Sequence, residues 1–558
     1  MLNRWLGIGF LAAAIAAQAA CGASQDDASG RASGPGGAPG PMPPSNGDTT
    51  APVHRAGSGT SGFSTGTSAE NTGTMTGAGG GKLGPDEGGG RPSEPPPTPP
   101  ACLEAMDTAA AEAVTTDGDP LTRSFYESAD DSNSMGSPTL ARELLRAHQS
   151  PDPATVRTYE FLNYYRIRHP AAAAGHVAIY ADAEVSQKDP SRVSLQIGVR
   201  AVDALKVRRP ISLTLALDAS GSLAGVGIER ERALVRALAK KLAKDDVLSV
   251  VTWNLEDSVL LSGHRVTGPN DATVLAVAEA IRPQGGSDLH AGLRAAYALA
   301  HENFDKTWLN RVMLVSDGGA NLGVVDRNVI AVEARDADKE GIYLAGVGLG
   351  PALGYADSLM NAVTDAGRGA YVYLDSAGEA AGLFDKRFDE IVGIAARDVQ
   401  VKLTVPYYFD IPDFFGEAYS TDPVAIDPQH LAPGGEMIFQ QVIARCAYGF
   451  TDPLVSGDPL HVLVTWDDPL TRQPHTDELT LDLNDLFVGA HAALHKGEAI
   501  VGYAEALKLV GEDPPGQLAL AHARVLELLA SPELAADPEL TEIAGLLPNH
   551  PLFPAVPK

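Results

Sequence analysis

The stretch ISLTLALDASGS at residues 211–222 decides the fold class of this 558-residue chain. Its first part, Ile211 to Leu217, has the length and the apolar character of a buried strand, and the polar sequence DASGS follows directly. A helical pattern comes next, with Ile228 and Val235 on one apolar stripe. Strand-length and helix-length segments then alternate up to residue 395. This alternation predicts an α/β fold with a doubly wound, mostly parallel sheet.

The individual segments of this unit can be read from their apolar patterns. The predicted strands cover residues 211–217, 247–253, 312–315, 342–348 and 371–374, with a hairpin-like segment around 259–261. The predicted helices start near residues 228 and 289 and cover 329–339, 356–366 and 380–395. In such sheets the ligands bind at the carboxyl ends of the strands, so the loops that follow the strands are the candidate site.

Three of these loops carry oxygen-bearing side chains. The first strand leads into Asp218, Ser220 and Ser222, the segment GGSD at 285–288 adds Ser287, and a later strand ends at Asp317. Taken singly, each is as typical of a turn or a helix cap as of a ligand. Together, two carboxylates and three hydroxyls suit Mg²⁺, with Mn²⁺ or Ca²⁺ as alternatives. The sequence therefore predicts a metal site that leaves one coordination position open for an oxygen of a partner.

These residues resemble the metal-ion-dependent adhesion site of the von Willebrand factor A domain, over residues 208–395. In that family an Asp and two Ser of the first motif, a Thr of the second loop and an Asp of the third loop hold the metal. Asp218, Ser220, Ser222 and Asp317 match directly, and Ser287 stands in the Thr position. The neighbouring Asp288 is an alternative for that one ligand. The resemblance implies a module that binds a carboxylate of a protein partner.

The similarity extends beyond the A domain. The pattern RTYEFLNYY at residues 157–165 resembles the N-terminal segment of the bacterial YfbK-like lipoprotein group. Residues 397–511, first strand-rich and then helical, resemble the C-terminal domain of that group. Together the resemblance covers residues 138–511 and implies an exported or surface protein.

The N-terminus has the features of an export signal. Arg4 precedes an apolar run from Trp5 to Ala17, which is too short for a comfortable membrane span. Two endings remain open: ordinary cleavage after Ala19, or a lipobox in which Cys21 is lipidated. Gly and Pro then make up 33 of the 79 residues in 22–100, a composition typical of a disordered stalk. The predicted domains are a signal peptide at 1–20, a lipid-anchored stalk at 21–136, an accessory segment at 137–207, an A domain at 208–395, a β-rich domain at 396–490 and helices at 491–558.

Charge and cysteine content exclude several functions. Lys and Arg total 42 and Asp and Glu total 71, so the net charge of −29 excludes nucleic acid as a partner. The same charge disfavours binding to an anionic membrane surface, so the N-terminal lipid is the only predicted membrane contact. The three cysteines, Cys21, Cys102 and Cys446, are too few for a four-cysteine zinc site. Cys102 and Cys446 either form a disulfide or remain two separate thiols.

Two main functional hypotheses follow from these features of the sequence. The favoured one is a non-enzymatic protein-binding module in the bacterial cell envelope, facing the periplasm or the cell surface. The alternative is a hydrolase in which the same metal activates water, with His290 as the candidate general base. A structural surface protein with an empty metal site is a third, weaker hypothesis.

Overall fold

The computed structural model describes residues 54–55 (backbone only), 122–130, 132–203, 208–324, 326, 330, 332, 334, 341–445 and 459–554. The predicted signal peptide, most of the stalk and Cys21, Cys102 and Cys446 lie outside these residues, as does most of the predicted helix at 329–339.

The elements are numbered here in chain order. The strands are β1 (His54–Arg55), β2 (Thr122–Ser128), β3 (Ala178–Val185), β4 (Arg192–Arg200), β5 (Ile211–Asp218), β6 (Val247–Trp253), β7 (Asp257–Arg265), β8 (Leu309–Ser316), β9 (Tyr343–Gly348), β10 (Tyr371–Tyr373), β11 (Ala396–Pro406), β12 (Phe409–Phe414), β13 (Ala418–Ser420), β14 (Gln429–Leu431), β15 (Glu436–Arg445), β16 (Pro459–Asp467) and β17 (Pro474–Asp482). The helices are α1 (Gly136–Arg146), α2 (Thr158–Tyr164), α3 (Val226–Lys241), α4 (Ala272–Ala280), α5 (Leu289–Glu302), α6 (Asp357–Ala366), α7 (Ala377–Val392), α8 (Ala492–Leu507), α9 (Pro514–Leu529) and α10 (Pro538–Leu546).

The predicted α/β unit is confirmed. Its sheet has the strand order β10-β9-β8-β5-β6-β7, in which only β7 is antiparallel to its neighbour. All residues of the central strand β5 are buried, because helices cover both faces of the sheet. Leu213 and Leu215 join the core beneath α3, α4 and α7, whereas Ala216 joins the core beneath α5 and α6. Because β5 and β8 are neighbouring parallel strands, their carboxyl ends lie at the same edge of the sheet.

The strands outside this unit form a second, antiparallel structure of two sheets. One sheet has the order β1-β13-β2-β11-β16-β17, with β14 also paired to β11, and the other has the order β12-β15-β4-β3. Apolar side chains of both sheets share one core, which includes Phe125, Leu195, Val401 and Phe439. The predicted β-rich domain is thus present among the described residues.

Its boundaries differ from the prediction. Strand β2 lies inside the range 21–136 that was predicted as stalk, so the folded part extends at least to Thr122. Strands β3 and β4 come from the predicted accessory segment, yet β4 pairs with β15 along its whole length. The ranges 137–207 and 396–490 therefore contribute to one β-structure, into which the α/β unit is inserted.

The helices at the two ends of the described chain pack together. Helices α1 and α2 share a core with α8, α9 and α10, in which Leu145, Phe161 and Tyr503 are fully buried. This layer also contacts the α/β unit. The backbone N–H of Met135 donates to the carbonyl of Tyr371, 2.6 Å away, and so covers the edge strand β10. Among the described helices, none is both long enough and apolar enough to cross a bilayer.

Candidate metal centre

The first loop of the site is shaped by Asp218, the last residue of β5. Asp218 is fully buried, and its Oδ1 accepts a hydrogen bond of 2.9 Å from the backbone N–H of Ser220. Its Oδ2 accepts a hydrogen bond of 2.6 Å from the hydroxyl of Ser316 at the end of β8. The hydroxyls of Ser220 and Ser222 lie 2.9 Å apart. The loop thus brings together the three predicted ligands of the DASGS segment.

The second loop lies directly against the first. The backbone N–H of Gly221 donates to the carbonyl of Gly285 over 3.1 Å, and that of Gln284 donates to the carbonyl of Ala219 over 2.8 Å. Gly285 has a φ of +74°, a conformation that favours glycine. These contacts place the segment that leads to Ser287 beside the DASGS loop.

Ser287 and Asp288 have different roles in this loop. The Asp288 carboxylate accepts a hydrogen bond of 3.0 Å from the N–H of Ala291 and so caps the start of α5. The Ser287 hydroxyl is buried, with 1% of the residue exposed, and it has no hydrogen-bond partner among the described residues. The backbone of Ser287 is held by Asn321, whose side-chain oxygen accepts its N–H over 2.9 Å. The arrangement favours Ser287 over Asp288 as a ligand.

The third loop carries Asp317. Its Oδ1 accepts a hydrogen bond of 2.9 Å from the N–H of Gly319, and the residue is half-buried. Gly318 adopts a φ of +74°, which allows the sharp turn after β8. Gly350, in the loop after β9, lies close to this turn, because a Cβ at that position would be 3.3 Å from the Cβ of Asp317.

The electrostatics of the centre are unfavourable without a cation. Burial, together with the charge of Asp317, raises the pKa of Asp218 to about 6 against the opposing effect of the hydrogen bonds from Ser220 and Ser316. Glu231 of α3 is also buried, and neither of its carboxyl oxygens has a hydrogen-bond partner among the described residues. Burial raises its pKa well above the usual value, and the charge of Asp218 adds to that shift. A bound cation would reverse the cost of ionising Asp218.

One structural observation indicates that this set of oxygen-bearing side chains suits a hard metal ion. Burying a hydroxyl without a hydrogen-bond partner costs free energy, and a cation at this edge would give the Ser287 oxygen an interaction partner. The described residues contain no group of three or more His, Cys, Asp or Glu that could hold a metal. A metal held here would therefore depend on hydroxyl oxygens as well as on the two carboxylates. Such an all-oxygen set suits Mg²⁺.

His290, the candidate general base, is the second residue of α5 and is half-buried. It follows Ser287 and Asp288 closely in the chain, so the helix start keeps it near the second loop. A catalytic role for His290 stays a prediction.

Sequence comparison identifies the α/β unit. Residues 213–320, which include all five predicted ligands, match the family model described as von Willebrand factor type A domain. The chain contains a von Willebrand factor type A domain. The predicted resemblance to the YfbK-like group is confirmed as well.

Two curated relatives and one solved structure show the extent of the similarity. The chain is 26% identical over 282 residues to the uncharacterized protein YfbK of Escherichia coli, which covers 48% of this chain and 48% of YfbK. It is 23% identical over 302 residues to the uncharacterized protein sll0103 of Synechocystis, covering 54% of this chain and 64% of that protein. The match thus spans about half to two thirds of these relatives' lengths. A von Willebrand factor type A structure from Catenulispora acidiphila is 11% identical, with a TM-score of 0.42, over 68% of this chain and 97% of its own.

The A domain indicates a protein-interaction or adhesion-type function. Sequence reasoning missed three residues that shape its candidate site: Ser316, Asn321 and Glu231. Ser316 directly precedes a predicted ligand at a strand end, which is the signal that could have identified it. Glu231 lies three residues after Ile228 and four before Val235, on the apolar stripe of α3, so its burial was readable from helical periodicity. The contact of Asn321 with Ser287 has no comparable signal.

Proposed function

We propose that this protein is an exported binding protein whose A domain captures an Asp or Glu carboxylate of a protein partner through Mg²⁺. The observation that carries the proposal is the Ser287 hydroxyl, which is buried and unpartnered among the described residues at the sheet edge where Asp218 ends β5. A metal ion explains why an unsatisfied hydroxyl and a buried carboxylate are kept together there.

Five side chains would hold the ion: Asp218, Ser220, Ser222, Ser287 and Asp317. The cation supplies a positive centre that accepts one further oxygen. Ser222 is exposed and Asp317 is half-buried, whereas Asp218, Ser220 and Ser287 are buried. The site therefore opens to solvent on the side of Ser222 and Asp317, and a partner carboxylate would approach from there. Mn²⁺ and Ca²⁺ are alternatives to Mg²⁺, because the donors are all oxygens.

The proposed cellular setting rests on the N-terminal sequence. Arg4 and the apolar run after it support export, and Cys21 supports a lipid anchor in the bacterial cell envelope. The Gly- and Pro-rich composition of the segment that follows supports a linker between that anchor and the binding domain. No contact with nucleic acid is proposed.

The test is capture of envelope proteins of the producing bacterium by the immobilised full-length protein, in Mg²⁺ and after EDTA. We expect a partner that is retained in Mg²⁺, released by EDTA and not retained by Asp218→Ala. Ser212→Ala is the matched control, because Ser212 is a buried residue at the opposite end of β5 whose hydroxyl bonds the carbonyl of Asn303. Retention of the same partner by Asp218→Ala in EDTA would contradict the proposal.

A further inference from the structure

Three bulky apolar side chains are exposed at the metal edge of the A domain. Leu255 is 63% exposed in the turn between β6 and β7, Leu322 is 39% exposed in the loop after β8, and Leu353 is 72% exposed in the loop between β9 and α6. Each belongs to a different loop. Exposed leucines are unfavourable in water, so a concentration of them beside a built site indicates a contact surface.

Two of these leucines lie against the loop that carries Ser287. A Cβ at Gly285 would be 3.0 Å from the Cγ of Leu255, and a Cβ at Gly286 would be 2.5 Å from the Cδ1 of Leu322. Gly285 and Gly286 immediately precede Ser287 in the chain. Leu255 and Leu322 thus flank the candidate site from neighbouring loops.

The third leucine, Leu353, belongs to the loop that lies beside Asp317. Its loop contains Gly350, where a Cβ would be 3.3 Å from the Cβ of Asp317. The carbonyl of Gly350 accepts a hydrogen bond of 2.9 Å from the Tyr373 hydroxyl. The side chain of Arg230 donates to the same carbonyl. The loop that presents Leu353 is therefore anchored, and the apolar side chain projects from a fixed base.

The charges around these leucines restrict what can dock. Glu256 and Asp257 follow Leu255 and are exposed, and the negative charge of Asp288 acts on Asp257. This side of the edge is already crowded with negative charge. It would repel a ligand that carries several acidic groups, whereas a single carboxylate would be neutralised by the cation.

We infer that the partner presents one Asp or Glu flanked on both sides by bulky apolar residues, which pack against Leu255, Leu322 and Leu353 while the carboxylate reaches the metal. The inference rests on the proposed function, since it needs the cation to receive the carboxylate. It adds a specificity that the metal alone does not supply, because any exposed carboxylate could coordinate a bare ion.

The probe is a displayed peptide library with a fixed central Asp or Glu and four random residues on each side, panned on the full-length protein in Mg²⁺ and in EDTA. We expect peptides with apolar residues next to the acid to be enriched at least tenfold over those with Ser or Gly there. Peptides with a second acidic residue should be depleted. Random flanks among the peptides recovered in Mg²⁺ would overturn the inference and leave the proposed function standing.

Two double variants distinguish the contribution of the apolar surface to peptide binding from that of the metal. Leu255→Ser with Leu353→Ser should abolish the apolar preference but keep the Mg²⁺-dependent selection of the acid. Leu520→Ser with Leu526→Ser is the matched control, because both leucines are exposed on α9, and it should behave as the unmodified protein. An apolar preference unchanged in the first pair would overturn the inference. Apolar enrichment that is equal in EDTA and Mg²⁺ would instead contradict the proposed function.

Discussion

Among the single residues of the site, Ser287 depends most on the metal. Its hydroxyl is buried without a hydrogen-bond partner among the described residues, so in the absence of a cation it destabilises the fold. With a cation it becomes a ligand. The same side chain should therefore have opposite effects on stability in the two conditions.

Ser287→Ala tests this reversal. In EDTA we expect the variant to be as stable as the unmodified protein or more stable by about 1 kcal/mol, because an unsatisfied hydroxyl is removed. At a hundredfold excess of Mg²⁺ over its dissociation constant the unmodified protein should gain about 2.7 kcal/mol, and the variant clearly less. Urea unfolding with and without EDTA measures both effects. An equal gain from Mg²⁺ in the two proteins would exclude Ser287 as a ligand.

Outside the A domain, the carboxyl of Glu127 in β2 is also buried. The Glu127 Oε1 accepts a hydrogen bond of 3.0 Å from the Gln441 amide, and burial raises the pKa of Glu127 to about 8. Among the described residues, the Glu127 Oε2 and the Gln441 Oε1 have no hydrogen-bond partner. A proton on Glu127 would let this side chain act as a donor to the amide oxygen and satisfy both atoms.

Glu127→Gln should alter how stability depends on pH. Between pH 4.5, the ordinary value for Glu, and pH 8 the folded protein keeps this proton while the unfolded chain releases it. The free energy of unfolding therefore falls as pH rises through this window and is lowest above pH 8. Because Gln does not ionise, the variant does not lose unfolding free energy in this window. We expect it to be more stable than the unmodified protein at pH 9, by more than about 1 kcal/mol, and similarly stable at pH 5. Parallel curves from pH 5 to 9 would contradict this assignment.

The candidate ligands could be grouped from the sequence more easily than the residues that surround them. Asp218, Ser220 and Ser222 share one short motif directly after an apolar strand, so local pattern is enough to group them. Asn321 holds the Ser287 backbone from another loop, and that contact depends on how two distant loops pack. Glu231 lies on a readable apolar stripe, yet a carboxyl there contradicts the usual chemistry of buried positions.

The elements of the A domain were predictable from the sequence, whereas the boundaries of the β-structure were not. Most strands of the A domain are apolar runs that lead through a loop into a helix, so the alternation of strand and helix is visible in the local sequence. The pairing of β4 with β15 joins residues near 196 to residues near 440, and no local pattern records such a partner. Strand β2 carries Arg123, Glu127 and other polar residues, so its local pattern does not distinguish it from the acidic segment around it.

One contact between elements fixes a loop beside the metal edge. Glu143 of α1 lies 3.0 Å from the Nη1 of Arg230, accepts a hydrogen bond of 2.8 Å from the Tyr373 hydroxyl and receives the N–H of Ala352 over 3.4 Å. A helix outside the A domain thus supports the loop between β9 and α6. The position of that loop should depend on α1.

Glu143→Ala should loosen the loop at residues 349–356. We expect faster cleavage there by a broad-specificity protease, by about tenfold, because the loss of Glu143 leaves Tyr373 and Ala352 without this acceptor. Limited proteolysis followed by mass spectrometry locates the cut. Glu229→Ala is the control, since Glu229 is exposed and pairs only with Arg232 of its own helix in the described structure. Equal cleavage in the two variants would show that Glu143 does not hold the loop.

At the scale of the whole molecule, the A domain is an insertion supported by its neighbours. Leu140 and Leu144 of α1 pack on Tyr373, and Arg157 pairs with the nearly buried Asp357 at the start of α6. The backbone at Met135 covers the edge of β10. The A domain therefore relies on contacts from both the helical layer and the segment before α1.

An isolated fragment of residues 208–395 should be less stable than the same domain in the full chain. It would expose Tyr373 and the edge of β10, and it would leave Asp357 without its arginine, which is costly for a buried charge. We expect a lower urea midpoint and concentration-dependent association, measured by fluorescence and by sedimentation. A monomeric fragment with the midpoint of the full chain would show that the insertion folds independently.

Metal titration of the full-length protein tests the central claim most directly. Calorimetry with Mg²⁺, repeated with Mn²⁺ by electron paramagnetic resonance, should show one bound ion in the unmodified protein and in Ser212→Ala. Asp218→Ala and Asp317→Ala should lose that ion while circular dichroism shows the fold retained. Binding of an ion with unchanged affinity by Asp218→Ala, or no binding by the unmodified protein, would contradict the proposed metal site.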